Sequence, residues 1–150
     1  MAKTIVNQTK ITFPSLSQNE AYSRSAAASF VSQLNPTYDE LSDIKCAVSE
    51  AVTNAIVHGY RDKVGEITLV MKITDAREFI AEVRDKGCGI EDIELARRPM
   101  FTTDRENERS GMGFTIIENF MDSMKVTSSP GKGTKVLISK KLSALPVRLV

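Results

Sequence analysis

The sequence predicts an α+β fold, a two-layer sandwich in which a mainly antiparallel, mixed sheet carries helices on one face. Several segments alternate apolar and polar residues with the two-residue period of strands, and others repeat apolar residues every three or four positions, as amphipathic helices do. The 150 residues contain no Pro/Gly-rich linker. A chain of this length hides about 68–70% of its unfolded surface. We therefore expect a single domain over residues 1–150 with a short tail from about residue 143.

The first strand and the first helix are predicted before residue 36. Alternate residues from Ile5 to Phe13 share one side of an extended segment that Pro14 stops. Ser17, with Glu20 three positions later, has the spacing of a capping box and predicts a helix start. Apolar residues then recur every four positions at Tyr22, Ala26, Phe30 and Leu34.

The second helix has the clearest boundaries. Pro36 breaks the first helix, and Thr37 with Glu40 repeats the capping signature. An apolar stripe then runs to Gly59, which is a typical helix end. The stripe consists of Leu41, Ile44, Val48, Val52 and Ala55.

The remaining elements are a hairpin, a third helix and two final strands. Alternation predicts one strand over 67–73 and another over 79–83, joined by a turn. Residues 99–109 are polar and without periodicity, a length typical of a functional lid or a mobile segment. Phe114, Ile117, Met121 and Met124 form a third helical stripe. Strands follow over 125–128 and 134–141, across a glycine-rich turn.

Composition and charge exclude several classes of function. Twenty Lys and Arg face nineteen Asp and Glu, so the formal charge of +1 gives no field for direct nucleic-acid binding. The longest unbroken apolar run is three residues, far short of the roughly 20 needed to span a membrane. With no apolar stretch for a secretory signal, we expect a cytoplasmic protein. Cys46 and Cys88 lack zinc-site spacing and are expected to be reduced thiols.

Glycine clusters are the candidate phosphate-binding elements. Gly87-x-Gly89, Gly111-x-Gly113 and Gly131-x-Gly133 match neither a dinucleotide fingerprint nor a P-loop, and each alone is also typical of a turn. The second cluster differs because it precedes the third helix, whose free N–H groups and dipole favour a phosphate. Arg109, just before Ser110, would add a fixed positive charge.

A polar edge of the second helix supplies candidate catalytic groups. Glu50 and Asn54 lie one turn apart and point away from the apolar stripe. A carboxylate and an amide oxygen in this arrangement can hold a hydroxyl group and Mg²⁺, although a solvated helix face has the same pattern. His58 follows on this edge, where it also fits a helix-end imidazole.

Asp85 and Thr134 are the candidate contacts to an adenine base. Asp85 ends a strand just before Gly87, where a buried carboxylate can accept hydrogen bonds from an exocyclic amino group. Thr134 follows the last glycine pair and can reach the same base edge. An Asx turn at Asp85 and an ordinary strand start at Thr134 remain the alternatives.

Taken in order, these four boxes resemble the nucleotide-binding boxes of the GHKL ATPase and kinase superfamily. Within it, residues 49–60, Phe101-Thr102-Thr103, 108–116 and 118–122 are similar to the SpoIIAB family of serine kinases that act as anti-sigma-F factors in endospore-forming bacteria. The resemblance runs from about Ser15 to Leu142. It implies the Bergerat-type ATP-binding fold.

The resemblance also implies a function and a role for each matched residue. A homodimer would bind ATP or ADP with Mg²⁺, hold the sporulation sigma factor F inactive, and phosphorylate a serine of the anti-anti-sigma factor SpoIIAA. Glu50 would be the general base, with Arg109 assisting at the phosphates, and Asn54 the metal ligand. The nucleotide would contact Asn54, Asp85, Gly87, Gly89, Thr102, Thr103, Arg109, Ser110, Gly111, Met112, Gly113, Phe114 and Thr134. Glu20 and Arg24 would bind the partners.

Three alternatives stay open. A nucleotide-gated module that sequesters a sigma factor with negligible catalysis would keep the same glycines, and a general-stress anti-sigma-B kinase is a close sibling. The third is a sensor-histidine-kinase catalytic domain or a gyrase-like ATPase. No phosphoacceptor helix pair precedes the boxes and the single histidine lies inside them, which argues against a self-contained sensor kinase.

Overall fold

The computed structural model describes residues 3–98 and 113–145, and within them the chain forms one five-stranded sheet in the order β1-β2-β3-β5-β4. The strands are β1 (Ile5–Pro14), β2 (Glu66–Thr74), β3 (Glu78–Asp85), β4 (Ser123–Ser129) and β5 (Gly133–Lys141). Each pairing between these described strands is antiparallel, where the sequence predicted a mainly antiparallel, mixed sheet. The predicted α+β class is confirmed.

Helices cover one face of this sheet. They are α1 (Gln18–Val31), α2 (Tyr38–Asn54), the short α3 (Ile93–Ala96) and α4 (Gly113–Phe120). A 3₁₀ turn (Ser32–Leu34) follows α1, and a π-helical turn (Ala55–Gly59) continues α2. α2 packs against both α1 and α4, so it is the central helix of the layer.

The hydrophobic core lies between the helices and the hairpin β2–β3. Ile67, Leu69, Met71 and Ile73 of β2 are all buried, as the two-residue period predicts. From α2, the stripe that the sequence identified supplies Ile44, Val48, Val52 and Ala55 to the same core. The predicted hairpin and the predicted α2 are therefore confirmed together by one packed interface.

The start of α2 has the predicted capping box. The backbone N–H of Glu40 donates to Thr37 Oγ1 at 3.1 Å, and the backbone N–H of Thr37 donates to Glu40 Oε1 at 2.8 Å. Two N–H groups that a helix start leaves without partners are thereby satisfied. The second oxygen of Glu40 accepts from the backbone N–H of Ser143 at 2.7 Å. Burial alone would raise the pKa of Glu40, but the hydrogen bonds with Thr37 and Ser143 together outweigh burial and lower the pKa.

The capping box predicted at Ser17 is wrong. Ser17 has φ −58° and ψ −30°, which is helical backbone, and its side chain makes no capping hydrogen bond. The Glu20 carboxylate instead accepts from Ser49 Oγ of α2 and forms an ion pair with Arg24 at 3.5 Å. A tertiary contact therefore holds the side chain that the local pattern assigned to the cap.

The buried line of α1 is shifted by one residue from the predicted stripe. Tyr22 is half-exposed, whereas Ser23, Ala27 and Val31 are fully buried. Ser23 is tolerated in the core because its hydroxyl donates to the Glu20 carbonyl at 2.7 Å.

The third predicted helix is α4, but it ends earlier than the stripe suggested. The helix stops at Phe120, and Met124 lies in β4. Lys140 Nζ donates to the Phe120 carbonyl at 2.8 Å and lies 3.5 Å from Asp43 of α2. A cation at this position complements the negative end of the helix dipole. Met124 packs against the core from β4 and is not part of a further turn of α4.

No helix among the described residues combines the length and the apolar character needed to cross a bilayer.

Candidate functional site

One cavity of about 390 Å³ opens beside the C-terminal half of α2, between β3, β5 and the start of α4. Its volume is within the range of roughly 300–1,000 Å³ found for small-molecule sites. Residues that the sequence analysis selected meet in its wall: Glu50, Asn54, Asp85, Gly89, Gly113, Phe114 and Thr134. The edge of α2, the end of β3 with the segment after it, the start of β5 and the start of α4 therefore converge on a single cavity.

Asp85 is the buried carboxylate of the cavity, with 9% of its surface exposed. Its Oδ1 accepts from the backbone N–H of Gly87 at 2.9 Å, and the carboxylate also accepts from the backbone N–H of Thr134. Burial raises the pKa of Asp85 above its ordinary value, while these two hydrogen bonds oppose the rise. The bonds fix the carboxylate plane, so a buried acceptor has a defined direction.

Gly87 has a structural role beneath the cavity wall. A Cβ at Gly87 would come 2.0 Å from the Gly59 carbonyl oxygen, so a side chain at this position would collide with backbone. The same carbonyl accepts from the backbone N–H of Cys88 at 2.8 Å. Gly59 ends the π-helical turn that follows α2, and such turns are frequent at functional sites. These contacts with Gly59 join the end of α2 to the segment after Asp85.

The turn between β4 and β5 closes the other side of this segment. Gly89 has φ +76°, and a Cβ there would come 2.1 Å from the Ser129 carbonyl oxygen. The backbone N–H of Gly131 donates to the Cys88 carbonyl at 2.7 Å. The first and third glycine clusters therefore hold two backbone segments together, and of their four glycines (Gly87, Gly89, Gly131 and Gly133) Gly89 alone lines the cavity.

Asn54 lies against the start of α4. A Cβ at Gly113 would come 2.8 Å from Asn54 Oδ1 and 2.9 Å from Nδ2. Within the described residues, Asn54 Nδ2 is buried and has no hydrogen-bond partner. A buried donor without an acceptor is costly, so this position fits an anionic ligand. The N-terminal N–H groups and the dipole of α4 favour the same charge.

The donor set also fits a magnesium ion carried by a phosphate ligand. Glu50 and the Asn54 amide oxygen are hard ligands on the same helix edge. The described residues contain no group of three or more His, Cys, Asp or Glu that could hold a metal ion. Mg²⁺ commonly uses one or two protein oxygens and takes its other ligands from phosphate and water.

The remaining predicted residues are either on α1 or outside the described residues. Glu20 and Arg24 are on α1, away from the cavity wall, and Glu20 links α1 to Ser49, the residue before Glu50. Several predicted phosphate contacts fall outside the described residues: Thr102, Thr103, Arg109, Ser110, Gly111 and Met112. Their roles stay predictions.

The sequence analysis missed several cavity residues. His58, which we did not assign to a site, lines the cavity, as do Arg61 and Cys88. The stripe that contains Glu50 and Asn54 includes His58, so that signal was present. Arg61 follows the helix end with φ +52°, a feature that no local pattern indicated.

Tyr60 supports the site from outside the cavity wall. Its hydroxyl donates to the Glu66 carbonyl at 2.5 Å and accepts from the backbone N–H of Lys86 at 2.7 Å. Tyr60 thereby connects the segment after the π turn to the start of β2 and to the residue that follows Asp85. Burial raises the pKa of Tyr60, so its hydroxyl stays protonated and able to donate.

Comparisons with known protein families agree with this geometry. Residues 13–140 match the family model described as histidine kinase-like ATPase domain. Two solved structures share the fold at 20% sequence identity. The structure of the RsbU and RsbW domains of a Mycobacterium tuberculosis protein has a TM-score of 0.69 over 97% of this chain and 35% of its own. A blue-light activated histidine kinase of Erythrobacter litoralis has a TM-score of 0.52 over 79% of this chain and 43% of its own.

Curated relatives are much more similar in sequence. The anti-sigma F factor of Clostridium acetobutylicum is 50% identical over 93% of this chain and 96% of its own length. The anti-sigma F factor of Oceanobacillus iheyensis is 52% identical over 91% of this chain and 94% of its own. That of Bacillus velezensis is 51% identical, with the same two coverages.

Proposed function

Because the chain belongs to the anti-sigma F factor family and contains a histidine kinase-like ATPase domain, we propose that it is an anti-sigma factor and an ATP-dependent serine kinase. The observation that supports this proposal best is the convergence of Asn54, Asp85 and Gly113 on one cavity. Its sigma-factor partner is sigma factor F, and its phosphate acceptor is a serine of SpoIIAA. It acts in the cytoplasm as a regulator of sporulation transcription.

The nucleotide lies along the cavity with its base and its phosphates at opposite ends. Asp85 accepts from the exocyclic amino group of adenine, with Gly89 and Thr134 beside it. The phosphates lie at the other end, where the Asn54 amide and the α4 N-terminus at Gly113 and Phe114 supply donors. Thr102, Thr103, Arg109, Ser110, Gly111 and Met112 complete the phosphate site. Asn54 Nδ2 supports this orientation, because this buried donor has no hydrogen-bond partner among the described residues and needs an acceptor.

Phosphate transfer depends on charge neutralisation and on one proton acceptor. Mg²⁺, when bound through the Asn54 oxygen, neutralises charge on the phosphates. Glu50 accepts the proton of the substrate serine as the hydroxyl oxygen bonds to the γ-phosphorus and the bond to the β-phosphate oxygen breaks. Arg109 stabilises the charge that develops on the transferred group.

The partners bind at α1. Glu20 and Arg24 lie on this helix, and the contact between Glu20 and Ser49 connects the docking surface to the helix that contains Glu50. The protein acts as a homodimer, as the family resemblance implies. Glu20 of the proposed docking surface thus contacts Ser49, the residue that precedes the proposed base.

Labelled phosphate transfer tests the proposal. The wild type, Glu50→Gln and the control Glu94→Gln, an exposed glutamate of α3, are incubated with γ-labelled ATP and SpoIIAA, and the modified side chain is mapped. We expect transfer to a serine by the wild type and the control. Loss of a general base should reduce transfer by about 10²-fold or more in Glu50→Gln, with sigma factor F binding retained.

Three results would each contradict a part of the proposal. Unchanged transfer by Glu50→Gln would remove Glu50 from its role. A wild type that binds ATP and the sigma factor but transfers no phosphate would show instead a nucleotide-gated binding module. Transfer only to a general-stress anti-anti-sigma protein, with binding to sigma factor B, would identify the sibling kinase.

A further inference from the structure

Ser128 of β4 is a hydrogen-bond node that touches two residues of the cavity wall. Its hydroxyl accepts from the backbone N–H of Ile90 at 2.8 Å and lies 2.8 Å from Thr134 Oγ1. It also lies 3.0 Å from the Gly133 carbonyl oxygen. Ile90 and Thr134 line the cavity, whereas Ser128 is behind them. Any influence of Ser128 on a ligand therefore passes through these neighbours.

The Ser128 hydroxyl can donate its single hydrogen in either of two directions. Its hydroxyl has one hydrogen and two acceptors within reach, the Gly133 carbonyl and Thr134 Oγ1. If that hydrogen points at Gly133, the contact with Thr134 needs the Thr134 hydrogen, and Thr134 can then only accept in the cavity. If it points at Thr134, the Thr134 hydrogen is released to donate into the cavity.

The second arrangement gives the cavity a defined pair of groups. The Thr134 backbone N–H donates to the Asp85 carboxylate, which holds the two residues side by side at paired positions of β3 and β5. Asp85 then presents an acceptor and the Thr134 hydroxyl presents a donor. The edge of adenine has the complementary pair, an amino donor next to the N1 acceptor. Guanine and hypoxanthine have the reverse pair.

We propose that Ser128 is a positioning residue that selects 6-aminopurine nucleotides by donating to Thr134 Oγ1 and so directing the Thr134 hydrogen at the base. This inference rests on the proposed adenine site. It adds to the proposed adenine site a residue that does not itself contact the nucleotide. Ser128 would then have two roles that can be told apart. Its bond to Thr134 acts on base selection, whereas the hydrogen bond from the Ile90 N–H would support the loop equally for every ligand.

Calorimetric binding of two nucleotides tests the proposal. ATP and 1-deaza-ATP, which lacks the N1 acceptor, are titrated into the wild type, Ser128→Ala, Thr134→Val and the double variant. Ser129→Ala, an exposed neighbour on β4, is the control, and thermal unfolding verifies that each variant folds. We expect Ser128→Ala to bind ATP about fivefold to tenfold more weakly than the wild type. We expect no such loss with 1-deaza-ATP or in the Thr134→Val background.

Each other outcome contradicts a named part of the proposal. Equal losses of affinity for ATP and 1-deaza-ATP would assign Ser128 to loop support and overturn its role in selection. An additive loss in the Thr134→Val background would do the same. A wild type that binds neither nucleotide would instead refute the proposed ATP site itself. Unchanged ATP affinity in a folded Ser128→Ala protein would remove Ser128 from the site altogether.

Discussion

The side-chain amide of Asn54 packs against Gly113 so closely that a Cβ at Gly113 would lie 2.8 Å from Asn54 Oδ1. This contact joins the polar edge of α2 to the N-terminus of α4. The two elements therefore form one end of the cavity, where the Asn54 amide donor, which has no hydrogen-bond partner among the described residues, lies beside the N-terminus of α4.

Gly113→Ala tests that contact. Gly113 is the first residue of α4, so alanine gains at most the roughly 0.5–1 kcal/mol by which it is favoured over glycine in a helix interior, and its methyl group would push the Asn54 amide out of place. We expect little change in the free energy of unfolding and a loss of ATP affinity of about tenfold or more, measured by urea unfolding and calorimetry. The displacement should matter only while Asn54 is present. A loss of the same size on adding Gly113→Ala to Asn54→Ala would contradict this explanation.

The raised pKa of Asp85 predicts a specific pH dependence without nucleotide. The folded protein keeps the Asp85 proton to higher pH than the unfolded chain does, whose pKa is near 3.8. The contribution of Asp85 to the unfolding free energy is therefore most favourable below that pH and declines as pH rises to the folded-state pKa. The difference in unfolding free energy between wild type and Asp85→Asn should fall from about pH 3.5 upward and then level off.

Asp62→Asn makes the same substitution at an exposed position and is the control for this comparison. A difference that rises with pH would show that the hydrogen bonds from Gly87 and Thr134 outweigh burial. In binding experiments at pH 7, Asp85→Asn should also weaken ATP affinity by about 1–3 kcal/mol, because an amide group would face a donor of the base.

Tyr60→Phe tests the support beneath the site. The substitution removes the hydroxyl that joins the Glu66 carbonyl to the Lys86 N–H. We expect the free energy of unfolding to fall by about 1–2 kcal/mol. Tyr38→Phe is the matched control, since Tyr38 is 84% exposed and its change should stay within about 0.5 kcal/mol. Equal effects of the two variants in urea titrations would show that the Tyr60 hydroxyl contributes nothing specific.

Arg24→Ala separates partner docking from nucleotide binding. Arg24 is nearly half-exposed, and its ion pair with Glu20 is a surface contact of about 0–1 kcal/mol, so stability should change little. We expect affinity for sigma factor F to fall about tenfold or more while ATP affinity is unchanged. Ser25→Ala is the neighbouring control. Sigma factor affinity equal to that of the wild type would exclude Arg24 from the docking surface.

The sequence predicted those parts of the fold that local patterns determine. The capping box at Thr37 and the alternation of Ile67 to Ile73 were sufficient because their partners are near in sequence or share one face. The capping pattern at Ser17 does not form because Glu20 contacts Ser49, 29 positions away. Met124 continued the α4 stripe only because the strand that follows places the same residue inward.

The candidate site was predicted by residue type, and its supporting contacts were not. Asn54 is an amide ligand, Asp85 a carboxylate acceptor and Gly113 a glycine at a helix start, and each of these features can be identified from the sequence. The approach of Gly87 to Gly59 and the node at Ser128 arise where distant segments cross. Such crossings depend on the packing of the sheet and the helices, and no single segment contains a signal for them.

Amide resonances on addition of ATP and Mg²⁺ test the convergence on one nucleotide most directly. In two-dimensional ¹H–¹⁵N spectra, we expect the largest shifts at the Asn54 side-chain amide and at the backbone N–H groups of Gly89, Gly113 and Thr134. All four should titrate with one dissociation constant. Shifts that leave Asn54 and Gly113 unmoved, or that follow two different constants, would contradict a single shared site.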